Sequence, residues 1–231
     1  MITEDYIKTH DLKQCLEAFE GAEHGIGVKE REDEVEKAFT VLAKKTLYGG
    51  FLKVGEDYRI LIRTVEFYYH EEEGCVKDNY VYHRNGKFKS KADGGHDREV
   101  PYFPVMTLHS HWSGYDITFE NPLKRYRASI LIREYAVFDI KEGKYAYWDT
   151  RSGQFNYLLS DTPVWDSRSS YLTYFLNGFS IEKGASSRIE WEDTMPEEYG
   201  KVKQKLRKGI IWRDSEEKTT KDEREWAYTR S

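Results

Sequence analysis

The 231-residue chain changes its hydrophobic period near residue 50. Before that point apolar side chains recur every three or four positions, the spacing of a helix with one buried face. In DLKQCLEAFEG (11–21), Leu12, Cys15, Leu16 and Phe19 form one stripe, with Asp11 placed to cap it and Gly21 to end it. A longer helix is predicted over 28–50, with Val35, Ala38, Phe39, Leu42 and Leu47 on its apolar face and Gly49-Gly50 as its stop. Beyond it the period falls to two, the signature of strands. In DYRILIRTVEFYYH (57–70), Ile60, Ile62, Thr64, Glu66 and Tyr68 share one parity, and Leu61, Arg63, Val65, Phe67 and Tyr69 share the other. Further strands are predicted around 104–120, 127–139 and 144–150, and a helix over 169–181 closed by Asn177-Gly178. The Lys-, Arg-, Gly- and Asp-rich stretch 84–101 has no apolar period and reads as a loop. From Glu197 onward the chain is highly charged and reads as partly helical, with Ile210, Ile211 and Trp212 as its docking point.

These elements define an α+β class: a single domain with a central mixed or antiparallel curved β-sheet, flanked by N- and C-terminal helices. Its parts are an N-terminal helical segment (1–50) packing on the core, a β-rich core (51–195), and a charged C-terminal helical extension (196–231).

Composition narrows the picture. The chain is 39% hydrophobic and 33% charged, which fits a folded globule rather than a disordered one. The 18 Tyr and 6 Trp suit both an aromatic core and stacking surfaces. A net charge of −5 counts against a broad nucleic-acid-binding face, although charge can be segregated. Cys15 and Cys75 stand far apart without CxxC spacing, so neither a disulfide framework nor a thiolate zinc site is expected. The opening MITEDYIKTH has no apolar run, and no stretch nears the roughly 20 apolar residues of a membrane span. The expected location is the cytoplasm, with no membrane partner.

Two charges stand out among apolar neighbours. Glu66 has the parity of Ile60 and Ile62, which puts a carboxylate on what reads as the core side of its strand. Arg133 interrupts SILIREYAVF in the same way. Buried charges need partners or a function, and these two are candidates for each other. A third feature is HSHWSGYDITFE (109–120), in which His109 and His111 share a strand face. With Asp116 they form a possible metal-ligand set for a hydrolase, weighed against the commoner arrangement of hydrogen-bonded histidines lining a sheet. Arg84, Lys87, Lys89 and Lys91 in the 84–101 loop are candidate phosphate contacts, diluted by Asp93, Asp97 and Glu99.

In order along the chain, these pieces resemble the alkyladenine (3-methyladenine) DNA glycosylase family over residues 39–139, a little under half the sequence. LAKKTLYGG (42–50) resembles the family's LAxxLLGK, and IRTVEFYYHEEE (62–73) resembles its strand IVETEAYxGxxD. DNYVYHRNG (78–86), MTLHSHWSGYDITFEN (106–121) and ASILIREYAVF (128–138) are similar to D-x-A-x-H-x-x-G, GTLYVYxxYGMxxCxN and ACVLIRALEP. The resemblance implies a monofunctional glycosylase for DNA that flips out a damaged purine and cuts its N-glycosidic bond, with no cofactor and no metal. It places Glu66 on the catalytic glutamate, Tyr68 and His111 on the aromatics that sandwich the base, His83 in the pocket and Arg133 on the motif arginine. The chain departs from the pattern where the wedge tyrosine falls on Ser113, before Gly114; Trp112 beside it could serve as a wedge only with the strand offset by one residue. The pocket asparagine falls on Glu120, or on Asn121 without a gap. The segment between Tyr68 and His83 is longer than in the family, and RSSYLTYFLNGFSI (168–181) matches the later GPxxLxxALGI helix only loosely. The loss of the wedge keeps open a non-catalytic nucleic-acid or partner-binding protein on the same scaffold, and a purely structural interaction module beside it.

Overall fold

The computed structural model describes all residues except 1, 22–26, 79, 82–86, 90–96, 112–113, 150, 158–160, 184–188, 209–210, 214–218 and 222. For 87–89, 97–99, 178–183, 211–213 and 219–221 it describes the backbone alone. Three helices lead: α1 (Glu4–Thr9), α2 (Leu12–Glu17) and α3 (Val28–Tyr48). Strands β1 (Gly50–Val54), β2 (Tyr58–Glu71), β3 (Lys87–Lys89), β4 (Asp97–Glu99), β5 (Leu108–His111), β6 (Gly114–Thr118), β7 (Tyr126–Asp139), β8 (Lys144–Asp149) and β9 (Gln154–Tyr157) follow. Helix α4 (Ser169–Lys183) precedes β10 (Ile189–Asp193), β11 (Val202–Lys205), β12 (Ile211–Arg213), β13 (Thr219–Lys221) and β14 (Ala227–Arg230).

The main sheet is antiparallel and curled into a half-barrel, in the order β10-β1-β2-β7-β6-β5. Long strands β2 and β7 form its spine. On the side of β2 away from β7, β1 pairs with residues 58–60 and β14 with residues 64–66, so two short strands share one edge of a long one. β11 extends the sheet beyond β14, and β8 and β9 extend it beside β7.

The helical patterns predicted near the N-terminus fold as expected. Asp11 accepts from the Gln14 backbone while the Gln14 side chain accepts from the Asp11 backbone, a reciprocal cap that fixes the start of α2. Leu12, Cys15 and Leu16 of α2, with Phe19 after it, are buried, as are the predicted α3 stripe positions. Phe39 of α3 stacks on Phe67 with ring centroids 4.5 Å apart, and meets Trp226 edge-on at 5.2 Å. This aromatic packing against α3 is the centre of the core, each fully buried ring contributing about 1.5–3 kcal/mol. No helix among the described residues is long and apolar enough to cross a membrane.

Besides the stretch 84–101, expected as a loop but containing the short antiparallel pair β3–β4, three expectations are corrected. The segment after Glu197 contains no helix among its described residues. It contributes strands and buries Arg207, Trp226 and Tyr228, all nearly inaccessible; Ile210 and the side chains of Ile211 and Trp212, expected as its docking point, lie outside the described residues. In EWAYTR (225–230) the alternation is that of a strand, and pairing with β2 outweighs the charge content that suggested a helix. Helix α4 runs through Asn177-Gly178 to Lys183 instead of ending there. The third correction concerns Glu66. The β2–β7 register is irregular between Ile62 and Val65, where Thr64 lies opposite Glu134. Paired irregularities on both strands switch the face that each parity presents. Ile60 and Ile62 point into the core, but so do Val65, Phe67 and Tyr69. Glu66 therefore lies on the opposite face from Ile60 and Ile62.

Candidate functional site

The face of β2–β7–β6–β5 turned away from α3 carries most of the charged and polar residues singled out in the sequence. Glu66 is opposite Leu131, Leu131 is opposite Asp116, and Asp116 is opposite His109. Directly opposed residues of an antiparallel sheet point to the same side. Tyr68, Ser129, Thr118 and Gly114 share that face by the same register.

At its centre Glu66 is 2% exposed and fully engaged. Its Oε2 accepts from Arg133 Nε at 2.7 Å and from the Tyr68 hydroxyl at 2.8 Å. Its Oε1 accepts from the Lys208 backbone N–H at 2.6 Å. Arg133 in turn donates to Ser169 Oγ at 3.4 Å and to the Lys208 carbonyl at 3.2 Å. The two sequence anomalies thus form one ion pair, and the peptide at Lys208 is held between them. Burial first, then the Glu66 carboxylate, push the Tyr68 phenol well above its usual value, so it remains a donor at neutral pH.

Glu66 and Arg133 line a cavity of about 610 Å³. Its floor crosses neighbouring strands, from Ala227 of β14 through Thr64 and Glu66 of β2 to Arg133 and Glu134 of β7. Lys205 and Lys208 border it on the C-terminal segment, and Arg168, Ser169 and Tyr171 at the start of α4. Its cationic side chains outnumber its carboxylates, in contrast to the chain as a whole. Gly114 lets α4 approach the sheet here. A Cβ at that position would lie 2.6 Å from Leu131 Cδ1 and 3.4 Å from Ser169 Cβ.

Tyr68 does not line this cavity. Its ring packs with Val81 and Leu131 and is covered by the Arg207 guanidinium, 4.7 Å from the ring centroid. Arg207 is buried and ion-paired with buried Asp78 at 2.5 Å, and it also donates to the Phe67 carbonyl. Asp78 entered the sequence reading only as the first residue of DNYVYHRNG, and neither Arg207 nor Lys208 was singled out. The only prior signal for Arg207 and Lys208 was their charge, which is indistinguishable there from that of a solvated tail.

His111 and Glu120 share the Glu66 face of the sheet but do not line the cavity. His111 Nε2 is 3.3 Å from Asp116 Oδ1, its ring stacks with that of His109 at 5.9 Å, and His109 lies against Phe103. Burial lowers the His109 pKa, which favours a neutral ring. No group of three His, Cys, Asp or Glu side chains among the described residues is arranged to hold a metal ion. Glu120 accepts from the Phe103 backbone N–H at 2.7 Å and from Arg127 at 3.2 Å, and Arg127 also donates to the Pro101 and Val100 carbonyls. These two residues fasten the segment 100–103 to the sheet. Burial pushes the Glu120 carboxyl up to about 7, against the pull of the Phe103 N–H and Arg127. His83, Arg84, Lys91, Trp112 and Ser113 lie outside the described residues, as do the side chains of Lys87 and Lys89 on β3.

Comparison with protein-family models, with curated proteins and with solved structures gives no match to this chain. The functional reading therefore rests on the site itself.

Proposed function

We propose that the cavity floored by Glu66 and Arg133 is an active site for hydrolysis of an N-glycosidic bond, with a damaged purine in DNA as the substrate. The observation that carries this reading is the pairing of Glu66 and Arg133. These residues are 67 positions apart in sequence and meet at 2.7 Å in the wall of a cavity whose borders are rich in cations. In this scheme a water molecule attacks the anomeric carbon of the sugar, and the base nitrogen leaves with the electron pair of the broken bond. Glu66 takes the proton from the attacking water and offsets the positive charge that develops on the sugar. An alkylated purine leaves readily because it already carries positive charge. Arg133 fixes the carboxylate orientation, and the Tyr68 hydroxyl supports the same oxygen. The cationic borders of the cavity suit the phosphates flanking an extruded nucleotide.

The test is release of hypoxanthine or 3-methyladenine from lesion-bearing DNA by the purified protein. Glu66→Gln is expected to abolish release, a loss of about 10²–10⁴-fold or more for a positioned base. A second reading, a nucleic-acid-binding protein without turnover, is favoured by one observation. Both Glu66 oxygens are already occupied, and the Tyr68 ring that the family resemblance assigns to base stacking lies beneath Arg207. DNA binding with no base released across a broad lesion panel would establish that reading and remove the catalytic one.

A further inference from the structure

The base-stacking role that the family resemblance implies for Tyr68 cannot be met where Tyr68 sits, because Arg207 covers its ring. The cavity has another flat surface. Arg168 is gripped by Asp166 through two separate contacts, Nε to Oδ1 at 2.9 Å and Nη2 to Oδ2 at 2.6 Å. Its guanidinium lies 4.2 Å from the Tyr171 ring centroid. A two-point carboxylate grip fixes the plane of an arginine, and a fixed guanidinium plane over an aromatic ring suits a further flat group. Both residues border the cavity.

Lys205 and Lys208 border the same cavity, the Lys208 peptide seated on the Glu66–Arg133 pair. Lys205 is on β11, opposite Ala227 of β14; Ala227 is opposite Glu66 of β2; and Glu66 faces β7, which carries Arg133. Three strand spacings separate β11 from β7, about 14 Å. Along that line Lys205 lies to one side of the Glu66–Arg133 pair, and Arg168 and Tyr171, tied to β7 through the Asp166–Tyr135 bridge and the Arg133–Ser169 hydrogen bond, lie towards the other. Phosphate, sugar and base follow one another in the same order in a nucleotide.

We propose that the cavity binds one nucleotide unit, with its base on Arg168 and Tyr171, its sugar over Glu66 and Arg133, and its phosphate at Lys205 and Lys208. This placement rests on the hydrolytic reading above for the role of Glu66, but its binding geometry can be tested without turnover. The nucleotide can be free or extruded from a strand, and the two sources are distinguished below.

The experiment uses the full chain carrying Glu66→Gln, titrated calorimetrically with inosine 5′-monophosphate, inosine, and an oligonucleotide containing one hypoxanthine. The monophosphate should bind about tenfold more tightly than inosine, and the difference should shrink with added salt. Lys205→Ala combined with Lys208→Ala should erase that difference. Arg168→Ala and Tyr171→Ala should each weaken both ligands by about tenfold, the loss typical of removing a stacking partner. Tighter binding of the oligonucleotide than of the monophosphate assigns the source as a strand, and the reverse assigns a free nucleotide. Equal binding of monophosphate and inosine, or no effect of Arg168→Ala and Tyr171→Ala, overturns the proposal. Each variant's fold is checked by circular dichroism, and Tyr171→Phe, which keeps the ring, should bind as the parent does. If the binding pattern holds while the unsubstituted protein releases no base, the hydrolytic reading fails and the nucleotide site stands. If base is released at an undiminished rate by Arg168→Ala and Tyr171→Ala, the nucleotide placement fails and the hydrolytic reading stands.

Discussion

The two faces of the β2–β7 spine solve the burial problem in opposite ways. Towards α3, Val65, Phe67, Tyr69, Ile130 and Ile132 meet Phe39 and its neighbours, and stability comes from area removed from water and from ring packing. On the other face, Glu66, Arg127 and Glu120 are nearly as inaccessible, and buried Arg207 and Asp78 lie against that face. There Glu66, Arg127, Glu120, Arg207 and Asp78 each face an opposite charge, and each of their pairs also fastens a distant piece of chain. Glu66–Arg133 holds the Lys208 peptide, Arg127–Glu120 holds segment 100–103, and Arg207–Asp78 holds the C-terminal segment against Tyr68. Buried ion pairs seldom add net stability relative to apolar packing, but breaking one by removing a single partner is costly. The apolar face thus builds the sheet, and the charged face positions loops around a cavity.

This contrast can be broken from either side. Phe39→Ala should cost the most, about 3–5 kcal/mol in denaturant unfolding, because a large side chain leaves a void among rings that cannot close over it. On the charged face, Arg207→Met should cost about 3 kcal/mol by leaving the buried Asp78 carboxylate only the more distant Arg224 guanidinium at 3.8 Å, and Arg207→Met with Asp78→Leu should recover part of the loss. If the double variant is as unstable as the single one, the pair matters for its packing and not for its charge.

A smaller effect concerns pH. Burial raises the Glu120 carboxyl to about 7, so the folded state holds its proton more tightly than the unfolded chain does. Its contribution is therefore greatest below the ordinary carboxylate range and falls as pH rises from about 4.5 to about 7. The decline should be on the order of 3 kcal/mol, flattening above that pH. Urea unfolding from pH 5 to 8 should show a steeper decline for the unsubstituted protein than for Glu120→Gln; parallel profiles would refute the assignment. The smallest effect belongs to neither face. Asp11→Ala removes the reciprocal cap of α2 and should lower stability by about 1 kcal/mol, leaving the cavity's ligand binding unchanged.

Periodicity and local chemistry were enough to place α2, α3 and the long strands. Helix stripes and caps act within a few residues, and strand alternation is equally local. The pairing of Glu66 with Arg133 was also readable, because two charges in strongly apolar strands each require a partner. The face they occupy was not readable. A register irregularity at Ile62–Val65 inverts the parity of β2, and such a switch arises from the alignment of two strands rather than from either sequence alone.

The C-terminal segment shows the same division more sharply. Its charge reads as solvated and partly helical, whereas the edge of β2 left open beyond β1 recruits Ala227–Thr229 as a strand. That docking buries Arg207 over Tyr68, brings Lys205 and Lys208 to the cavity, and moves the exposed flat surface to Arg168 and Tyr171. By itself the sequence determined the α+β class, the helical core stripes and the two charges that had to meet. Only the tertiary structure decided which face received them and what surrounds them, because those outcomes depend on which strand edge remains unpaired once the sheet has formed.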